Sequence, residues 1–402
     1  MPATLDEVLI LTRHYAPEPT GSAPVMQQIA EWLAGQAIRV RIVTVRPNYP
    51  GDAVFEGYAQ GERDQVVEAG VEVHRLKTRP IGSGGLLARF GPELRFMVDL
   101  WAARLTGRTA TSHCVVSLCP SILTTLGAAP LVRSGGRHVA IVHDIQSGLG
   151  SALGSAMLRA IMPILRTIER FALNRTDQII VLSEEMRDGL IRIGVRRPIA
   201  ILPPSVDTRA IVPIARDAGA APTLLYSGNL GRKQGLEQIL DLAEELLRRG
   251  SSARIVIRGD GANRIGLQAE AERRGLGNVT FMSLAPKTDL AQAMSEADIH
   301  LVPQIADGGA FAVPSKVFAI MAAGRPFVAT ADAGSSLGRL AEESGAFLCT
   351  PPLSANALAD SVEALLGDPE RRAELGRRGR DYVVREVDTD VVMRRLVRLL
   401  SP

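Results

Sequence analysis

Short apolar runs rich in β-branched residues recur along the whole chain, separated by amphipathic stretches. In the first half the runs fall at 8–15, 40–45, 71–76, 114–118, 138–143 and 178–182. They are apolar on both faces, which predicts strands of a parallel sheet covered on both sides. In the second half similar runs fall at 224–227, 255–258, 279–282, 299–302, 327–329 and 347–349. Between the runs the apolar spacing becomes helical, as at 25–34, 235–249, 263–274, 290–297, 315–323 and 355–366. In 235–249 the residues Leu236, Ile239, Leu242, Ala243 and Leu246 share one face, the spacing of a core-facing helix. The arginine-rich tail 370–400 reads as two helices with a solvated basic face.

The alternation lapses once, over 203–222, where Pro, Ala and Gly follow one another without a period. This predicts an N-terminal domain 1–205, a linker 206–222, a second domain 223–385 and a C-terminal helix 386–402. A chain of 402 residues is also long for a single core. The fold class expected is α/β, two doubly wound parallel-sheet domains in tandem. A ligand is then expected in the cleft at the carboxyl ends of the strands.

Composition narrows the function. A hydrophobic fraction of 46% with 22% charged residues describes a globular protein. A net charge of +3 and 4% aromatics offer neither a basic field nor a stacking platform, so no nucleic-acid partner is expected. Cys114, Cys119 and Cys349 lack metal-ligand spacing, and no His/Asp cluster supplies it, so no metal is expected. No run approaches the ~18 apolar residues of a membrane span, and the first residues lack a basic segment followed by an apolar one, so the expected location is cytoplasmic.

Lysine is scarce: it occurs only at Lys77, Lys233, Lys287 and Lys316. Lys233 follows Arg232 in a glycine-rich turn, Tyr226-Ser-Gly228-Asn229-Leu-Gly-Arg-Lys-Gln-Gly, that runs from a strand into a helix. Lys316 follows Pro314-Ser315 at the start of another predicted helix. A cation beside a helix N-terminus adds to backbone N–H groups that already favour an anion, and two such places suggest a diphosphate pocket. A dinucleotide-dependent oxidoreductase fits poorly. The first strand is followed by Arg13-His-Tyr-Ala-Pro-Glu18-Pro-Thr-Gly21-Ser22 rather than Gly-x-Gly-x-x-Gly. Gly259-Asp-Gly261 after a later strand lacks the third glycine and reads as a tight turn that admits a ligand.

In order and spacing these motifs resemble the retaining nucleotide-sugar glycosyltransferases of the GT-B fold, glycosyltransferase family four, and within it the colanic-acid type of exopolysaccharide enzyme. The resemblance rests on Tyr15-Ala-Pro-Glu-Pro-Thr-Gly21, Pro47-Asn-Tyr-Pro-Gly, Val54-Phe-Glu-Gly-Tyr58 and Gly70-Val-Glu-Val-His-Arg75. In the second half it rests on the Tyr226–Gly235 turn, Gly259-Asp-Gly261, Asn278-Val-Thr-Phe, Pro314-Ser-Lys and Ala322-Ala-Gly-Arg-Pro326. It implies a metal-independent, retaining hexosyltransferase that needs no cofactor and takes a UDP-sugar or GDP-sugar as donor. Arg232 and Lys233 would grip the diphosphate, with Gly228, Asn229, Gly259, Gly261, Leu284, Ser315 and Lys316 completing the donor pocket. Gly21 and Ser22 would approach it from the first domain. His143 would contact the sugar or the acceptor, and Asp144 and Glu18 the acceptor. A strand-end histidine satisfied by a backbone carbonyl remains the alternative for His143.

The chain departs from the family pattern at the paired carboxylates that precede and enter the helix ending at Gly324. The second place is Ala319. Asp307 in Pro303-Gln-Ile-Ala-Asp would supply the first if a short insertion follows it; without the insertion the place is Phe311. The acceptor implied is a glycan or a polyprenyl-linked glycan, which would put the enzyme at the inner face of a membrane. Two arginine-bearing stretches bear on this. For 86–108, with Leu87, Phe90, Leu94, Met97, Trp101 and Leu105, membrane contact and packing on the sheet both stay open. For 152–175, packing on the sheet is the expectation. Two other readings are a nucleotide-sugar epimerase of this fold and a catalytically weak nucleotide-binding subunit of a polysaccharide assembly complex.

Overall fold

The computed structural model describes residues 5–401 except 20, 50, 52, 78–85, 120, 146–155, 217–220, 232–233 and 306–312, and only the backbone of 86–90, 156–161 and 287. Arg232, Lys233, Asp307 and Phe311 therefore lie outside the described residues. The chain forms two compact units, Met1–Leu202 with Met393–Pro402, and Pro203–Val392.

The first unit is built on β1 (Glu7–Leu11), β2 (Arg39–Val45), β3 (Gln65–Glu68), β4 (Val71–Leu76), β5 (Ser112–Cys119), β6 (Val132–Val142), β7 (Gln178–Val181) and β8 (Ile199–Ile201). They form one sheet in the order β3-β4-β2-β1-β5-β6-β7-β8, parallel except where β3 pairs antiparallel with β4. The second unit holds β9 (Thr223–Ser227), β10 (Arg254–Arg258), β11 (Val279–Met282), β12 (Ile299–Pro303), β13 (Phe327–Thr330) and β14 (Leu348–Thr350). Their order is β11-β10-β9-β12-β13-β14, parallel throughout. In each sheet the strand order reverses beside the first strand, between β1 and β5 and between β9 and β12. At such a reversal the flanking crossovers leave in opposite directions and open a crevice at the carboxyl ends.

The helix Glu237–Arg248 buries four of the five residues expected of it, and the fifth, Leu236, is buried just before its first turn. Burial of a Leu or Ile side chain stabilises by about 2 kcal/mol each, which holds this helix to the sheet. Three features differ from the sequence expectation. The first strand stops at Leu11, not 15, because the Thr12 hydroxyl donates to the His14 carbonyl (2.9 Å) and turns the chain. The start of the expected linker is instead part of the second unit: Val206 bridges Asp388, Thr208 Oγ1 donates to Asp388 (2.6 Å), and Arg380 donates to the carbonyls of Thr208 and Ile211. The last helix, Thr389–Leu400, runs from the second unit into the first, where Cys114 Sγ donates to the Leu400 carbonyl (3.7 Å) and Arg137 bonds Ser401.

Two histidines are buried in strands. His138 in β6 meets Ser117 Oγ through Nε2 (2.8 Å), and His300 in β12 donates from Nε2 to the Met294 carbonyl (2.9 Å). Burial opposes their protonation and pushes both from about 6.5 to about 4. Between those values the unfolded chain binds protons that the folded chain refuses. The stability these groups contribute is fully present above about pH 6.5 and is lost as pH falls towards 4. Melting temperature measured from pH 8 down to 4.5 should hold near neutrality and then fall, and His300→Asn should flatten the fall.

Candidate active site

In the second unit the carboxyl ends of β9 and β10 are joined backbone to backbone. Gly228 N–H donates to Arg258 (3.0 Å), Leu230 N–H to Asp260 (2.8 Å) and Asn263 N–H back to Leu230 (2.9 Å). The contact is too close for side chains. A Cβ on Gly259 would lie 2.0 Å from the Gly228 carbonyl oxygen, and one on Gly261 would lie 2.6 Å from Asn229 Oδ1. Gly228 and Gly261 also hold φ of +148° and +151°, where side chains are strained. The glycines read from the sequence as a ligand's approach are thus first a requirement of the two loops.

Lys316 joins this cradle from the first turn of the helix Ser315–Ala322, which has no acidic residue in that turn and no capping side chain. Its Nζ lies 4.0 Å from the centre of the Tyr226 ring and beside Gly228. The Tyr226 hydroxyl donates to the Asn229 carbonyl (2.8 Å), so the ring that carries the ammonium also holds the turn. Among the described residues no carboxylate pairs with Lys316. Burial lowers its pKa to about 7. A lysine amine held by a ring face at a helix N-terminus is poised to take up a proton when an anion arrives. Ser315 is exposed at the helix start. Gly231 and Gln234-Gly235 flank Arg232 and Lys233 in sequence. Gln234 N–H donates to Gly231 (3.1 Å), and a Cβ on Gly235 would meet Ile305 Cγ2 at 2.8 Å, beyond the end of β12. Leu284 is exposed just past the end of β11, whose last residue Met282 accepts the Gly259 N–H (3.0 Å).

In the first unit, Gly21 and Ser22 lie after β1, and His143 and Asp144 after β6, both at carboxyl ends. Gly21 has φ of +69°, and Ser22 opens the helix Ala23–Gly35 without a side-chain cap or an acidic first turn. The His143 N–H donates to the Cys119 carbonyl (3.2 Å). Burial lowers its pKa to about 4, so the ring is neutral near pH 7 and can share a hydrogen bond but not lend a charge. Asp144 is half-buried next to it.

Glu18 corrects its sequence reading. Its carboxylate is buried and occupied: Oε1 accepts the N–H groups of Asn48 (3.0 Å) and Tyr49 (2.9 Å), and Oε2 meets His14 Nδ1 at 2.7 Å. It is a brace between the loops after β1 and β2, not a free contact for an acceptor. The His14 ring stands edge-on to Tyr49 at 5.3 Å. Buried Arg75 ties the same loop through the Ala16 carbonyl (3.1 Å). His14, Tyr49, Arg75 and Tyr226 all stand inside the sequence motifs, where no role is assigned to them. An aromatic residue just before Ser-Gly-Asn at a strand end was the available signal.

The model for a glycosyl transferase 4-like domain matches residues 20–205, and that for glycosyl transferases group 1 matches residues 209–382. The chain belongs to the glycosyltransferases of the GT-B fold. It is 28% identical to WcaI of Escherichia coli (strain K12), named as a colanic acid biosynthesis glycosyl transferase, over 97% of this chain and 98% of that one. The sucrose-phosphate synthase from Thermosynechococcus elongatus superposes with a TM-score of 0.78 at 20% identity, covering 98% of both chains. WaaG, a glycosyltransferase involved in lipopolysaccharide biosynthesis, superposes at 0.69 and 17% identity, covering 98% of this chain and 99% of that one.

The glycine contacts make a prediction of their own. Gly259→Ala forces the loops after β9 and β10 apart and should cost about 1–3 kcal/mol, as overpacking does, and should weaken any nucleotide binding at this turn. Gly277→Ala, where a Cβ meets nothing within 4 Å, should change neither. Thermal melts of the two variants with and without nucleoside diphosphate measure both effects.

Proposed function

We propose that this glycosyltransferase moves a hexose-type sugar from a UDP-sugar or GDP-sugar to a glycan or polyprenyl-linked glycan in cell-surface polysaccharide synthesis, retaining the anomeric configuration. The observation that carries the reading is Lys316 on the Tyr226 ring beside Gly228, a cation with no carboxylate partner among the described residues, at the reversal point of the second sheet. The diphosphate would lie on the Gly228–Asn229 turn with Lys316, Arg232 and Lys233 as its cations, and Asp307 facing the sugar. As the anomeric bond to the leaving phosphate breaks, negative charge grows on that phosphate and fixed cations stabilise it. Its oxygen then takes the proton of the attacking acceptor hydroxyl on the same face of the sugar. The new glycosidic bond forms on the side the phosphate leaves, so configuration is kept, and neither a protein nucleophile nor a metal is needed. Neutral His143 would accept or donate a hydrogen bond to the sugar or acceptor, with Asp144 beside it. The name of the WcaI relative supports the polysaccharide context. We place the enzyme at the cytoplasmic face of a membrane.

A second reading, a nucleotide-binding subunit with weak catalysis, draws on Ala319, which stands where the family pattern has its second carboxylate. One experiment separates the two. UDP, GDP, ADP and dTDP are tested for thermal stabilisation of wild type, Lys233→Ala and Lys316→Ala, and nucleotide release from the matching sugar donor is assayed with membrane extract as acceptor source. One nucleotide should stabilise wild type by mass action, and each variant should lose about a hundredfold or more in turnover. Affinity should also fall above pH 7, where Lys316 must first take up a proton, and Lys316→Arg should level that dependence. Stabilisation without release from any donor favours the subunit; no stabilisation at all removes the donor pocket.

The helix Leu86–Leu105 supports membrane contact. Phe96, Leu100 and Ala103 enter the core, while Leu94, Val98, Trp101 and Leu105 form a second, exposed apolar stripe with arginines beside it. Among the described residues no helix is long and apolar enough to cross a membrane, so contact would be peripheral. The stretch expected to pack wholly on the sheet also departs from that in part, since Ile164 and Phe171 on the helix Ala156–Leu173 are exposed. Replacing Leu94, Val98 and Trp101 by serine should reduce cosedimentation with anionic vesicles while leaving nucleotide binding intact. Unchanged sedimentation would remove this stripe from the interface.

A further inference from the structure

In the second sheet the strand order reverses between β9 and β12, so the loops after these two strands flank the crevice at the carboxyl ends. The two loops touch. A Cβ on Gly235, at the end of the glycine-rich turn, would lie 2.8 Å from Ile305 Cγ2 and 3.4 Å from the Gln304 carbonyl carbon. One side chain also bonds them together. Gln238, in the first turn of the helix Glu237–Arg248, is buried, and both ends of its amide are occupied. Its Nε2 donates to the Gln304 carbonyl (2.9 Å) and to the Gly235 carbonyl (3.2 Å). Its Oε1 accepts the Leu353 N–H (2.8 Å) from the loop after β14.

Gln304 is fixed from its other side as well. Its N–H donates to Thr330 Oγ1 (3.0 Å) and to the Thr330 carbonyl (3.1 Å) at the end of β13, and Thr330 Oγ1 donates to the Gln304 carbonyl (3.0 Å). The other buried side chains of the helix Glu237–Arg248 are all apolar. A polar side chain among them costs free energy unless its atoms find partners, and the partners of Gln238 are backbone groups of three loops. An apolar residue of the same volume would fill the place and join nothing.

We propose that Gln238 is a positioning residue for sugar transfer: it fixes the loop after β9 against the loop after β12, and so sets how the turn from Gly228 to Gly231 meets the leaving phosphate. This role rests on the donor diphosphate lying on that turn, as proposed above. Groups that stabilise charge growing in the transition state must be held in place before the reaction. Loosening the two loops therefore costs more in the transition state than in the nucleotide complex.

The test measures nucleotide release from a panel of UDP-hexoses and GDP-hexoses with membrane extract as acceptor source, the affinity for UDP and GDP, and the melting temperature. Gln238→Met keeps the volume and removes the amide's bonds; it should lower kcat about tenfold or more while nucleotide Kd changes less than about threefold. Gln238→Glu, which turns an acceptor towards two carbonyls, should lower kcat further. Thr330→Val releases the Gln304 carbonyl from the β13 side and should show the same split in smaller degree, so it carries the test if neither Gln238 variant folds. Ser295→Ala removes a buried hydroxyl that donates to the Gln292 carbonyl (2.7 Å), and should lower the melting temperature without the split. An unchanged kcat, or kcat and affinity falling in equal measure, overturns the role of Gln238. Lys233→Ala, run alongside, separates that failure from failure of the donor pocket. Full turnover by Lys233→Ala, or no release by wild type from any donor, removes the pocket and this role with it. Turnover lost in Lys233→Ala but kept in Gln238→Met overturns the role of Gln238 alone.

Discussion

Parallel pairing is the constraint from which the rest of this molecule follows. A parallel strand cannot be joined to its neighbour by a tight turn, so the chain must cross over through a helix and return to the same edge. Apart from antiparallel β3, the loops that follow strands therefore collect at one edge of each sheet, and those that precede strands at the other. Where the strand order reverses, beside β1 and beside β9, the collected loops part and leave room. Nothing about the chemistry of the donor is needed to reach that point. The sheets fix where a site can be; the loops at that edge then decide what it can hold.

Those loops are stabilised in different ways in the two units. In the second, the turns after β9 and β10 press backbone on backbone, which demands glycine and leaves N–H groups and one ring-borne lysine as the polar features. In the first, the loops after β1 and β2 are braced by side chains, with the buried carboxylate of Glu18 taking two backbone N–H groups and His14. A buried carboxylate is costly unless its oxygens are occupied, and here they are. The cradle in the second unit thus presents Lys316, which has no carboxylate partner among the described residues, while in the first the Glu18 carboxylate is already taken up.

Much of this was legible in the sequence. Strands apolar on both faces, helices of regular period and the order of glycine-rich turns gave both sheets and the cradle of Gly228, Asn229, Gly259, Gly261 and Lys316. What was not legible has physical reasons. The short antiparallel β3 and the helix Ile122–Gly127 are too brief for a period to register. Glu18 was read as a contact because a polar residue in a strand-end loop looks free until the backbone amides of Asn48 and Tyr49 are seen to need it. The linker was misread because Pro-Pro-Ser carries no period, while the bonds that tie 206–211 down come from Arg380 and Asp388, far along the chain.

The helix Leu86–Leu105 shows why periodicity alone left two readings open. An apolar residue every third or fourth position marks one face of a helix, but this helix carries two such rows, Phe96-Leu100-Ala103 and Leu94-Val98-Trp101-Leu105. Counted together they resemble a helix buried all round, which would belong deep in a core. The sheet can cover only one side of a helix that lies on it, so one row had to stay outside. Its arginines then matter less as pairs than as neighbours of exposed apolar groups. A row of that kind stays in water only at a cost in exposed apolar surface, a cost that contact with a membrane would relieve.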